Sequence, residues 1–123
     1  MANPRVFVSF DFDNDRFLKD ALYGQSKNPD SPFTIDDWSL KEAAPEATWV
    51  AEATKKIKAS KYLVIVVGAK THSAPGVKKE AKIALAEGVT RYQIKSADKN
   101  YAWVDGGGMH LNWTWPNLKK YLV

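Results

Sequence analysis

The chain has no cysteine. That excludes structural disulfides, cysteine-ligated zinc and a thiol nucleophile, and it suits a reducing compartment. Histidine is scarce, with only His72 and His110 in 123 residues, and no His-x-x-x-His spacing pairs them as metal ligands. No Gly-x-Ser-x-Gly elbow is present to expose a hydrolase serine. No apolar run approaches the roughly 18 residues of a membrane span. The N-terminus passes directly into Val6-Phe7-Val8, a strand pattern rather than a secretory leader. The expectation is a cytoplasmic chain, one domain over residues 1–123, with no metal and no membrane partner.

Apolar residues make up 45% of the chain, enough for a real core. The net charge is +4. A basic balance favours anionic partners in general, but the lysines are spread over helix faces (Lys55, Lys56 and Lys58; Lys78, Lys79 and Lys82; Lys119 and Lys120). A nucleic-acid footprint would cluster them and interleave aromatics, so solvated faces are the better reading.

The central signal is Tyr62 to Val67, six apolar residues in a row, ending at Gly68. Such a run reads as a strand buried on both faces, the habit of a parallel sheet covered by helices. Val6 to Phe10 reads as the first strand, Phe33 to Ile35 as the second and Arg91 to Ile94 as the fourth. The pattern predicts a first helix capped by Asp13 or Asn14, with Phe17, Leu18, Ala21 and Leu22 on its buried stripe. A second helix begins near Pro45 or Glu46, with Trp49, Val50, Ala53 and Ile57 inward, and a third runs from Val77 to Glu87. Leu111, Trp113 and Trp115 alternate with polar residues as a last strand would, and 117–122 closes the chain as a short helix. Strands alternating with helices imply right-handed βαβ units.

In such sheets ligands bind beyond the carboxyl ends of the strands, which puts the loops after strands one, two and three at a candidate site. The acidic stretch Asp11-Phe12-Asp13-Asn14-Asp15 follows strand one, but Arg16 and Leu22 occupy the positions where a calcium loop needs Gly and Glu. A phosphoreceiver would need an aspartate after strand three, where Val67-Gly68-Ala69 stands. Gly68-Ala69-Lys70-Thr71 is not a phosphate loop, because Ala69 separates Gly68 from Lys70 and no glycine precedes at the required distance. Trp38, after Asp36-Asp37, could stack a flat base. On helix three, Val77, Ala81, Ala84 and Leu85 form the expected buried stripe, with Glu80 at its edge in the first turn. The helix dipole alone favours an acid there, by about 0.3–1 kcal/mol.

Taken in order, several segments resemble TIR-like domains: Val6 to Asp15, Ile35-Asp36-Asp37-Trp38-Ser39, the Trp49 helix, Ser60-Lys61-Tyr62 leading into the Val-rich strand, and Thr71-His72-Ser73 followed by Val77 and Glu80. Within that family the chain is similar to the short TIR-like proteins of the Thoeris anti-phage system. The resemblance implies a three-layer, flavodoxin-like α/β fold, a parallel sheet flanked by helices. It implies NAD as substrate, with no separate cofactor, and Glu80 as the catalytic glutamate that attends the ribose bearing nicotinamide. Phe10, Asp11 and Phe12, Trp38 and Ser39, and His72 and Ser73 match loops bordering the family's pocket. The implied product is ADP-ribose or a cyclic form of it that reaches a downstream effector. Many TIR domains work only by docking with other TIR domains, so self-association and a non-catalytic interaction module stay open. The chain departs from larger TIR domains in its short, Gly-rich segment after Asn100.

Overall fold

Strands and helices alternate along the chain as the apolar pattern requires: β1 (Arg5–Ser9), α1 (Arg16–Ser26), β2 (Thr34–Ile35), α2 (Glu46–Lys58), β3 (Tyr62–Val66), a 3-10 turn (Thr71–Ser73), α3 (Pro75–Ala86), β4 (Thr90–Lys95), β5 (Met109–Asn112) and α4 (Trp115–Tyr121). The computed structural model describes residues 3–11, 14–35 and 46–123, with side chains from Val50 onward in α2. The sequence readings made for Phe12, Asp13, residues 36–39 and the Trp49 side chain lie outside the described residues.

All described strand pairs are parallel, and the five strands lie in the order β2-β1-β3-β4-β5. Val6 pairs with Tyr62 and Ser9 with Ile65 across β1 and β3, and Gln93 pairs with His110 across β4 and β5. This is the flavodoxin-like order, three layers with helices on both faces, as the sequence predicts. Strand order reverses between β1 and β3, which opens a crevice at their carboxyl ends.

Side-chain parity divides the core. Val6, Val64, Val66, Ile94 and Leu111 face Leu22 of α1 and Leu118 of α4. Phe7, Leu63, Ile65 and Val67 face Ala53 and Ile57 of α2 and Val77, Ala81 and Ala84 of α3. Every residue of β3 is buried, and each such aliphatic side chain contributes about 1.5–3 kcal/mol. Among the described residues no helix is long and apolar enough to cross a membrane.

Four local readings need correction. On α1, Leu18 and Leu22 meet the core while Phe17 is 67% exposed and Ala21 is exposed too. At 100° per residue, a helix seated on positions 18 and 22 swings 17 and 21 away from the sheet. On α3, Leu85 is exposed and Glu80 buried, because the stripe is Val77, Glu80, Ala81 and Ala84, centred further toward Glu80. Helix α3 also begins at Pro75, whose fixed φ suits a helix opening, so Glu80 lies in the second turn. Finally, β5 stops at Asn112 and Trp115 opens α4, with Pro116 in its first turn and the Thr114 hydroxyl accepting from the Asn117 N–H at 3.3 Å.

No helix joins β4 to β5. Their connection is folded instead onto Gln93, which is 1% exposed. Its amide nitrogen donates to the Val104 and Gly108 carbonyls at 2.8 and 3.3 Å, and its oxygen accepts from the Val104 N–H at 2.7 Å. Gly108 has φ +90°, and a Cβ there would lie 2.2 Å from the Arg91 carbonyl oxygen. The Gly-rich segment thus takes the place of a helix on this face.

Candidate active site

Ser9 is the last residue of β1 and shares the inward parity of Phe7. It is fully buried and therefore needs a partner for its hydroxyl. That partner is Glu80: the Ser9 hydroxyl donates to Glu80 Oε1 at 2.7 Å, across 71 residues of sequence. Glu80 itself is only 9% exposed. A carboxylate is rarely buried without a polar purpose. Because Glu80 lies beyond the first turn, the helix dipole, which acts within that turn, does not explain its presence.

A second tie spans the same two segments. The Thr71 hydroxyl donates to Asp15 Oδ2 at 2.6 Å and accepts from the Gly68 N–H at 2.7 Å. Asp15 is the N-cap residue of α1, yet its side chain makes no cap bond, and Asn14, expected as a cap, donates instead to Asp11 Oδ2 at 2.7 Å. The Asp15 carboxyl packs so closely on Gly68 that a Cβ there would lie 2.2 Å from Oδ1. Burial raises the Asp15 pKa above its ordinary 3.8; the Thr71 hydrogen bond opposes the rise and the Asp11 charge adds to it.

The residues singled out from sequence fall as follows. Glu80 stands beside the end of β1. Phe10 and Asp11 follow that strand; Phe10 is half-buried against the α1 and α4 core. Asp11 is 8% exposed, with its backbone carbonyl accepting from the Asn14 and Asp15 N–H groups. His72 and Ser73 are exposed on the 3-10 turn, where the Ser73 hydroxyl donates to the Lys70 carbonyl at 3.1 Å. The Asp15–Thr71 bond brings these two loops together at one end of the sheet. Phe12, Trp38 and Ser39 lie outside the described residues.

Ser9, Asp15, Gly68 and Thr71 were not picked out as site residues from sequence. A serine on the buried parity of an apolar strand is the one local signal that could have found Ser9. Among the described residues no three His, Asp or Glu side chains group to hold a metal ion. A cleft of about 290 Å³ opens elsewhere, between Gln93, Trp103, His110 and the 104–108 loop. Trp103 stacks there on His110 at 4.3 Å, and the cleft's one buried polar side chain, Gln93, is already engaged by the loop. The buried Glu80 carboxylate stands instead at the switch point, beside the end of β1. Held in place and screened from water, it can accept hydrogen bonds from sugar hydroxyls and stabilise a neighbouring positive charge.

Comparison with known proteins gives a family and a fold. A family model described as the TIR-like domain of the Thoeris protein ThsB matches residues 7–100. Among solved structures, the CMP N-glycosidase BcmB of Clostridium botulinum is similar, with a TM-score of 0.58 and 16% identity, covering 96% of this chain and 93% of that one. At that identity the likeness concerns the fold. No curated protein matches by sequence.

Proposed function

Because the chain belongs to the TIR-like family of the Thoeris protein ThsB, we propose that it cleaves the bond between ribose and nicotinamide in NAD. The product is an ADP-ribose-type nucleotide, cyclised, that signals to an effector in anti-phage defence. The observation that carries this reading is the Glu80 carboxylate, buried and oriented by Ser9 at the switch-point crevice.

The chemistry asks little else of the protein. Nicotinamide already carries a positive ring nitrogen, so the C–N bond breaks with its electron pair moving to that nitrogen, and no acid is needed. The positive charge passes to the ribose, in an oxocarbenium-like state of the kind glycosidases stabilise. Glu80 faces that charge and accepts from the ribose hydroxyls. Attack by water gives ADP-ribose and a proton; attack by a nucleophilic atom of the same molecule closes a ring and gives a cyclic ADP-ribose, which is ADP-ribose less the elements of water, and a proton. The N-glycosidase chemistry named for the similar BcmB structure is of the same bond class.

The test is nicotinamide release from NAD, followed by mass spectrometry, for the purified protein and for Glu80→Gln, with lysates of phage-infected cells expressing each. Release with a cyclic product in the wild type, lost in Glu80→Gln, is expected. A folded Glu80→Gln variant with full turnover would overturn the role of Glu80. No turnover in either setting would leave the chain as a protein-interaction module.

A further inference from the structure

We propose that Asp15 is a positioning residue for the Glu80 carboxylate, acting through Thr71 on the turn that leads into α3. This rests on the reading of Glu80 as the group that faces the ribose.

The path is continuous. Asp15 accepts from the Thr71 hydroxyl, and that hydroxyl accepts from the Gly68 N–H at the end of β3. The Thr71 carbonyl accepts from the Ala74 N–H at 3.0 Å, and the Ala74 carbonyl from the Lys78 N–H at 3.2 Å. Ala74 is the N-cap residue of α3, whose sixth residue is Glu80. Ser9 then ties Glu80 back to β1, the strand from whose end Asp15 departs. Two side-chain bonds, 56 and 71 residues apart in sequence, therefore close the same pair of segments around the crevice.

Both Asp15 and Thr71 are buried, at 4% and 0% exposure, so water does not replace the bond when it is cut. The contact with Gly68 leaves the carboxyl little room to turn: the glycine lacks the one atom that would push it away. Asp15 lies behind the loop and touches no substrate in this reading. Its effect is on where α3 begins, and hence on where the Glu80 oxygens stand. A displacement of about 1 Å at a reacting centre can lower a rate by about 100-fold.

The experiment compares four variants. Thr71→Val and Asp15→Ala cut the bond; Thr71→Ser and Asp15→Asn keep a donor and an acceptor of nearly the same shape. Four quantities are read: kcat for nicotinamide release, NAD affinity by calorimetry, hydrogen exchange of the Gly68 amide, and the melting temperature. In the first pair kcat is expected to fall by about 10- to 100-fold with NAD affinity kept, and Gly68 exchange to accelerate. In the second pair kcat, NAD affinity and Gly68 exchange are expected to stay near wild type. A Thr71→Val variant that frees the Gly68 amide yet keeps full kcat overturns the positioning role while leaving the enzyme reading intact. Equal losses in all four variants, tracking melting temperature alone, also overturn it. A wild type that never releases nicotinamide overturns the enzyme reading, and this role with it.

Discussion

The Ser9–Glu80 bond is the contact on which the site depends most, and its strength can be stated before it is measured. The bond is 2.7 Å long, between a fully buried hydroxyl and a carboxylate that is 9% exposed. A hydrogen bond to a charged group contributes about 1.5–3 kcal/mol, and burial on both sides places this one in the upper half of that range. Ser9→Ala removes the donor and leaves the carboxylate in place. For a domain of this size, the loss corresponds to a fall in melting temperature of about 3–5 °C per kcal/mol. The assay is urea unfolding of wild type, Ser9→Ala, Glu80→Ala and the double variant. The coupling energy of that cycle isolates the pair, because neighbouring contacts cancel. A coupling of about 1.5 kcal/mol or more is expected, with unchanged m values. A coupling below about 0.5 kcal/mol would mean that the carboxylate is not held by Ser9, and the claim of an oriented Glu80 would fall.

Three further outcomes follow from the geometry. Burial raises the Asp15 pKa, so the folded state holds this proton more tightly than the unfolded chain; stability is lost as pH rises from 3.8 through the folded value. Asp15→Asn, which cannot ionise, is therefore expected to be more stable than wild type at pH 7, the difference shrinking toward pH 3 in urea titrations; a constant difference would refute this. Gly68→Ala pushes a methyl against the Asp15 carboxyl and is expected to cost about 1–3 kcal/mol. Gly24→Ala, in open space within α1, is expected to stabilise by about 0.5–1 kcal/mol, and calorimetry of the two should show opposite signs. Gln93→Leu strands the Val104 N–H and is expected to cost about 2–4 kcal/mol, with the 104–108 amides losing exchange protection first.

The fold was legible because its strongest signals are local. The run from Tyr62 to Val67, short, β-branched and bounded by Gly68, reads as a doubly covered strand, and the helical stripes around it leave few ways to cover it. Glu80 was singled out through the ordered resemblance, and its burial was not legible from spacing: the centre of the α3 stripe is set by what it packs on, which a single sequence does not state. Ser9, Asp15 and Thr71 were hidden for a different reason. Each has an ordinary local account, as strand end, cap or loop polarity, and its real partner lies more than 50 residues away. Gln93 was hidden likewise, since its burial depends on a loop folding over it from beyond Asn100.

The two ties around the crevice also bear on the order of events during synthesis. The Asp15–Thr71 tie cannot close until β3 and the turn after it have emerged, and the Ser9–Glu80 tie must wait for the second turn of α3; contacts of such long sequence range are slow to form. A chain interrupted before residue 80 lacks the Glu80 carboxylate, and a partly folded one has it loose. If Glu80 is the group that faces the ribose, chemical competence arrives only with the finished fold.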